Sequence, residues 1–148
     1  MSEWTQGDYT ISTDRTRLDL AVIHEYLSNQ SYWAGGRPLA VIRQSIEHSL
    51  CFGVYDGEAQ VGFARTITDY TTYAYLADVF ILPTYQGNGL GKWLMQTILA
   101  APTLADVYRW ALHTRGAHGL YAQFGFTGLA KPESAMERRT TPPFLPTS

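Results

Sequence analysis

Gln86-Gly87-Asn88-Gly89-Leu90-Gly91 places three glycines at alternate positions, between the apolar run YLADVFILPT (75–84) and a stretch of helical periodicity. Glycine inside a helix costs roughly 1 kcal/mol relative to alanine, so bare backbone must serve some purpose there. The first four N–H groups of a helix lack intrahelical partners, and the dipole concentrates positive charge at that end. With side chains removed, a diphosphate can approach those N–H groups closely. A glycine-rich turn bound to nothing is the competing reading, but it leaves the polar Gln86 in front of the alternate glycines unexplained.

Two better-known phosphate patterns fail on this segment. A Walker loop needs G-x-x-x-x-G-K-[ST], yet Gln86 occupies its first glycine position and Trp93 follows Gly91-Lys92. A dinucleotide fingerprint G-x-G-x-x-G started at Gly87 puts Lys92 at its third glycine, and no βαβ repeat surrounds it. The pattern that fits is Q-x-x-G-x-G between a strand and a helix.

The elements that must position this loop follow from periodicity and punctuation. Residues 8–13 (DYTIST) predict a first strand. A helix is expected over 14–29, with Asp14 as its N-cap and Leu18, Ala21, Val22 and Tyr26 on one face. A loop over 30–38 leads to a second helix over 38–49, with Pro38 near its first turn. Strands over 50–56 and 58–69 flank Asp56-Gly57, a strong hairpin signal. A third β-prone run, 73–82, ends before Pro83. From Gly89 a helix runs through Leu90, Leu94, Ile98 and Leu99. A strand over 106–114, a short helix from 117, a break at Gly125 and a last strand complete the body. Four of the seven prolines fall in the tail over 131–148, which is expected to wrap the surface or fray. The plan is one mixed α+β domain over 1–148, with hairpins first and a β-α-β unit later.

The segment DVFILPTYQGNGLGKWLMQTIL (78–99) resembles the acetyl-CoA signature of the GCN5-related N-acetyltransferases, [RQ]-x-x-G-x-[GA] between a strand and a helix. GLYAQFGF (119–126) is similar to that family's later block, where a tyrosine precedes a Gly-Phe pair. One strand separates the two blocks, as the family's order requires. The resemblance implies a central mixed, mostly antiparallel sheet flanked by helices, with a V-shaped splay between two parallel strands, where the strand of Asp78 to Leu82 leaves its neighbour near a β-bulge. It implies acetyl-CoA as cosubstrate. Backbone groups of Phe80, Ile81 and Leu82 would pair with the pantetheine arm, as a strand is added to an edge. Gln86, Gly87, Asn88, Gly89, Leu90, Gly91 and Lys92 would hold the diphosphate.

The same resemblance puts Tyr121 near the coenzyme sulfur. A phenol of ordinary pKa near 10 is protonated at neutral pH and can donate to a departing thiolate. As a plain sequence feature, without the resemblance, Tyr121 reads as a core aromatic packing on Phe124 and Phe126. Asp78, the only acid in the strand entering the loop, reads either as the base that activates the amine, commonly through water, or as a strand-edge carboxylate. His118 lies one turn before Tyr121, beside the coenzyme in one reading and merely exposed in another. Tyr32 and Trp33, next to Gly35-Gly36, and Tyr70 and Tyr73, at a hairpin end, are the expected acceptor walls.

The expected activity is transfer of an acetyl group to a primary amine of a small molecule, by direct attack in a ternary complex. A non-catalytic acyl-CoA binding module, or acetylation of a protein or peptide N-terminus, is the alternative. Composition is consistent with a globular enzyme: 45% hydrophobic and 16% charged residues, with no disorder signature. A formal net charge of −2 without a long basic run argues against nucleic acid and against a polybasic membrane patch. The lone Cys51 excludes an intrachain disulfide, and no Cys/His spacing suggests a metal. No apolar run approaches the ~18 residues of a membrane span, and the N-terminus lacks a signal-peptide pattern. The expected location is the cytoplasm. A homodimer reached through the Phe144-bearing tail is compatible with the sequence.

Overall fold

The computed structural model describes residues 1–146. Six strands form one open sheet in sequence order: β1 (Glu3–Gln6), β2 (Tyr9–Ser12), β3 (Leu50–Asp56), β4 (Ala59–Thr68), β5 (Ala74–Ile81) and β6 (Trp110–Leu112). All neighbours are antiparallel except β5 and β6, which are parallel and joined through helix α3 (Leu90–Ala100). Helices α1 (Leu20–Asn29) and α2 (Leu39–Glu47) lie between β2 and β3, and the short α4 (His118–Ala122) follows β6. This is the mixed, mostly antiparallel α+β architecture expected from the sequence.

Alternation along the strands divides the core between the two faces. Ile11, Phe52, Val54, Ala74 and Leu76 pack with Leu94, Met95 and Ile98 of α3. Cys51, Phe63 and Phe80 pack with Ile23, Leu27, Ile42 and Ile46 of α1 and α2. On β5 the phase changes midway: Ala74 and Leu76 face α3, whereas Phe80 faces α1 and α2. The change falls at a β-bulge. Phe63 pairs with Phe80 and Arg65 with Ala77, so Ala64 stands opposite both Asp78 and Val79. Asp78 itself takes a left-handed backbone, φ 55°, which aspartate tolerates better than most residues. A bulge shifts the side-chain period by one and re-aims whatever it carries.

Four local expectations need correction. Residues 8–13 are one arm of a hairpin whose other arm, β1, turns back through Gly7 (φ 59°) and Asp8. The helix expected from Asp14 is a 3₁₀ turn, Arg15–Arg17, capped by Asp14; α1 starts afresh at Leu20, where the Asp19 carboxylate accepts from the N–H groups of Ala21 and Val22. Two capping aspartates in succession make two short elements, and the buried face centres on Ile23 and Leu27. The strand expected over 106–114 pairs only over Trp110–Leu112. No last strand follows Gly125 among the described residues. Gly125 (φ 89°) closes α4 with the Phe126 N–H donating to Tyr121 O at 3.3 Å, and the chain turns again at Pro132–Ser134.

Candidate active site

The parallel pair β5/β6 is short, and that shortness makes the site. Pairing runs from Ala74–Trp110 to Leu76–Leu112 and stops, leaving Ala77–Ile81 with no strand on that side. A cavity of about 800 Å³ opens where the strands part. It is walled by β5 from Tyr75 to Val79, by the end of β6 and the following loop, by Tyr32 and Trp33, and by Tyr121.

Tyr121 is 9% exposed and packs edge-to-face on Phe126 with ring centroids 5.9 Å apart. Burial pushes its hydroxyl above the ordinary value of 10.0, and Tyr32 adds to the shift. The phenol is therefore held in its proton-bearing form. The ring belongs to the aromatic core, and the same residue walls the cavity.

Asp78 is the most heavily bonded side chain of the site. Its Oδ1 accepts from Trp33 Nε1 at 2.8 Å, and its Oδ2 accepts from Arg37 Nη1 at 2.9 Å and Arg65 Nε at 2.8 Å. The bulge turns this carboxylate into a buried junction between β5, β4 and the α1–α2 loop. Two guanidinium groups and an indole donor supply the compensation that a buried charge requires.

The α1–α2 loop also closes over the cavity. Trp33 and Tyr32 meet edge-to-face at 5.0 Å; the Tyr32 hydroxyl accepts from the Arg115 backbone N–H at 2.9 Å, and the Arg115 guanidinium lies 3.9 Å from the Tyr32 ring centroid. Tyr32 thus bridges the cleft from the α1–α2 side to the loop after β6. Tyr75 Oη lies 2.6 Å from His113 Nδ1 at the mouth of the cleft.

The glycine segment lies past the end of β5, outside the cavity wall. Gly87 (φ 86°) and Gly89 (φ 78°) are left-handed, and Gly89 is the N-cap of α3. A Cβ at Gly87, Gly89 or Gly91 would meet nothing within 4 Å. Gly91 is the telling one: its backbone is ordinary and space surrounds it, so nothing inside the fold requires glycine there. A diphosphate arriving at the open N-terminus of α3 would occupy that space, so these residues fit the group. Leu90 sends its side chain into the core, leaving its N–H for that purpose. Asn88 and Lys92 are exposed. Gln86, although exposed, donates from Nε2 to the Ile81 carbonyl at 2.9 Å and ties the loop to the strand end. Phe80 stacks on Tyr26 at 4.1 Å, so only its backbone is at the strand's free edge.

Of the residues picked out in the sequence, Asp78, Tyr121, Tyr32 and Trp33 meet at the cavity. Tyr70 and Tyr73 do not. Asp69 folds the β4–β5 connection by accepting from the N–H groups of Thr71, Thr72 and Tyr73, and Arg109 lies over the Tyr73 ring. Tyr75 is the tyrosine of that segment that reaches the site. His118 opens α4, exposed and off the cavity wall. Arg37, Arg65, His113, Arg115 and Arg139 also line the cavity and are not evident from spacing. Arg65 alone carries a signal, being the one charge in the apolar strand QVGFARTI.

A parted parallel pair, a glycine-opened helix and a tyrosine at the cleft define an acyl-CoA transferase type of site. Residues 47–128, more than half of the chain, match the family model for the Acetyltransferase (GNAT) domain. The chain belongs to the GCN5-related N-acetyltransferase (GNAT) family. A candidate acetyltransferase from Gibberella zeae is 37% identical over 114 aligned positions, in an alignment that covers 64% of this chain and 64% of that protein. The chain thus covers just under two thirds of that relative. The crystal structure of a candidate GNAT acetyltransferase from Xanthomonas campestris pv. campestris superposes with a TM-score of 0.87 at 48% identity, over 89% of this chain and 93% of that one. A candidate acetyltransferase from Clostridium acetobutylicum, crystallised with acetyl-CoA, shares the fold at a TM-score of 0.64 and 12% identity, over 88% and 94% of the two chains. Among the described residues no helix is long and apolar enough to cross a membrane, and no cluster of side chains could hold a metal ion.

Proposed function

We propose that this protein is an N-acetyltransferase that moves the acetyl group of acetyl-CoA to a primary amine of a small molecule, by direct attack in a ternary complex. Acetyl-CoA supplies the thioester; overall the acetyl group passes from sulfur to nitrogen, the nitrogen losing one proton and the sulfur gaining one. The N–H groups of Gly87 to Lys92 hold the diphosphate at the positive end of α3. The free edge of β5, through the backbones of Phe80, Ile81 and Leu82, holds the pantetheine arm as an added strand. Tyr121 keeps a proton on Oη and delivers it to the sulfur.

Asp78 is the sequence's candidate for the base, but its geometry supports a positioning role. Both oxygens already accept hydrogen bonds, and taking up a proton would break its ion pairs with Arg37 and Arg65. The cavity offers His113 as another proton acceptor. Cys51 lies in the core under α1 and α2, which supports attack by the amine itself rather than a covalent enzyme intermediate.

The observation that carries this reading is Tyr121, proton-bearing, at the point where β5 and β6 part. Calorimetric titration with acetyl-CoA, on the native protein and on Gly89→Glu, tests it. Binding by the native protein that is lost in a still-folded variant supports the cradle. Absence of native binding would sink the proposal.

A further inference from the structure

The charge inside the cavity does not resemble the charge of the chain. The whole sequence carries 11 basic and 13 acidic residues. Four of those basic residues line the cavity, Arg37, Arg65, Arg115 and Arg139, against one acid, Asp78. Asp78 offsets one of the four and Glu137 pairs with Arg139, which leaves two unbalanced positive charges around a space that must also receive the acceptor. Asp78 is fully engaged with Arg37 and Arg65. Arg139 bonds Glu137 at 3.1 Å, but that pair is exposed at 84% and 66%, the kind of surface pair that yields readily to a competing anion.

We infer that the acceptor is an amine that also carries a carboxylate, an amino acid or a close analogue, read by Arg115 and Arg139. This rests on the acetyltransferase reading above and narrows its substrate. The Arg115 guanidinium lies over the Tyr32 ring, an arrangement that leaves its N–H edge available. A planar N–H edge matches a carboxylate bidentately, with a directionality that an ammonium group lacks. Arg139 brings the second guanidinium from the C-terminal segment, which doubles back onto the α1–α2 loop: a Cβ on Gly36 would stand 3.0 Å from Leu145 Cδ2. The same field repels polyamines and unmodified basic peptides. It also disfavours the ammonium form of any bound amine, because like charges nearby promote loss of the proton. A neutral amine is what attack on the thioester requires, so the arginines both anchor the carboxylate and help prepare the nucleophile. Tyr32, Trp33 and Tyr75 supply the apolar surface beside it.

The test uses the common L-amino acids, each paired with the amine left after decarboxylation, together with 2-aminoethyl phosphate and spermidine. Coenzyme release is followed with acetyl-CoA, and binding is followed by calorimetry on the CoA-saturated protein. At least one amino acid should exceed its decarboxylated partner by roughly tenfold to hundredfold in kcat/KM, the range a charged bidentate contact supports. Arg115→Gln and Arg139→Gln should each shrink that ratio, mainly through KM, and weaken amino-acid binding. Their acetyl-CoA affinity reports that the fold is intact. Equal or better use of the decarboxylated amines or spermidine overturns the inference while leaving the acetyltransferase reading standing. Preference for 2-aminoethyl phosphate overturns the carboxylate assignment. Amino acids that neither bind nor turn over, in a protein that binds acetyl-CoA, also overturn it. Loss of acetyl-CoA binding in the native protein is the separate failure of the acetyltransferase reading.

Discussion

Trp33 Nε1 donates to Asp78 Oδ1 across 2.8 Å, fastening the loop between α1 and α2 to the bulge of β5. Arg37, four residues further along the same loop, repeats the attachment through Oδ2 at 2.9 Å, and Arg65 reaches that oxygen from β4 at 2.8 Å. A single aspartate therefore sets the height of the aromatic wall over the cavity. Asp78→Asn keeps the shape but removes the charge that both guanidinium groups face. Breaking one side of a buried ion pair costs about 3–5 kcal/mol, and partial exposure of the arginines favours the lower end. Urea denaturation should show that loss. Trp33→Phe removes one hydrogen bond and should cost about 1 kcal/mol. It should raise KM for the acceptor while leaving acetyl-CoA affinity unchanged.

Tyr121→Phe separates chemistry from binding. The ring stays in its packing against Phe126, and only the hydroxyl, with the proton it carries, is lost. General acid catalysis contributes ~10²–10⁴-fold, so kcat should fall by that order with the acetyl-CoA dissociation constant unchanged. Burial raises the native pKa of this hydroxyl above 10.0. Tyr121 should therefore contribute no alkaline decline in kcat up to about pH 10. The linkage has a definite sign. A pKa raised on folding contributes stability that is fully present below the unfolded value and lost as pH rises through the folded one. Native Tyr121 should thus add a high-pH loss of stability, beginning above about pH 10, that the phenylalanine variant lacks.

The parts of this molecule that depend on local rules were legible in the sequence. The Asp56-Gly57 hairpin, Pro38 at the start of α2, and the Leu90, Leu94, Ile98 stripe of α3 follow from turn chemistry and periodicity. Gly7-Asp8 carried the signal for the first hairpin, but β1 is only four residues long. The site was half legible. The glycines advertise themselves through spacing, whereas Tyr121 is picked out by the family resemblance. The β-bulge on this strand follows only from the family resemblance, and its place at Asp78 has no signature in spacing, because an αL aspartate inside an apolar strand has the same one-letter pattern as a regular one. The arginines are invisible for a related reason: Arg37, Arg65, Arg115 and Arg139 come from four separate segments, and only the folded chain brings them to one cavity. The last strand failed because Gly125 turns the chain after α4 and no neighbour pairs with residues beyond it among those described.

Gly91→Ala and Gly89→Ala should behave oppositely in stability and alike in binding. Gly91 has an ordinary backbone and open space for a Cβ, so alanine there should stabilise the fold by up to about 1 kcal/mol. Gly89 has φ 78°, and a side chain in the left-handed region costs roughly 1–2 kcal/mol. Both methyl groups enter the space proposed for the diphosphate, so both variants should bind acetyl-CoA more weakly. Thermal unfolding and calorimetry on the two variants read the two quantities independently. A Gly91→Ala protein that is more stable yet binds as well as the native would remove Gly91 from the cradle.

Cys51 supplies a test of the direct-attack route. Two opposing effects act on its thiol. Arg65 and Arg15 favour the thiolate, while burial under α1 and α2 disfavours it, and burial wins: the pKa is pushed up to about 12. At pH 8 the thiolate, which is the reactive form, is then present at roughly one part in ten thousand. The side chain is also 2% exposed, so a thiol reagent has little access even to that fraction. Iodoacetamide at pH 8 should leave the native protein unlabelled and label it stoichiometrically in urea. Cys51→Ala removes one small core side chain, costing on the order of 1 kcal/mol by area, and should retain full acetyl transfer. Rapid labelling of the native protein, or loss of turnover in a folded Cys51→Ala variant, would instead place a nucleophile on the enzyme and replace the ternary complex with a two-step transfer.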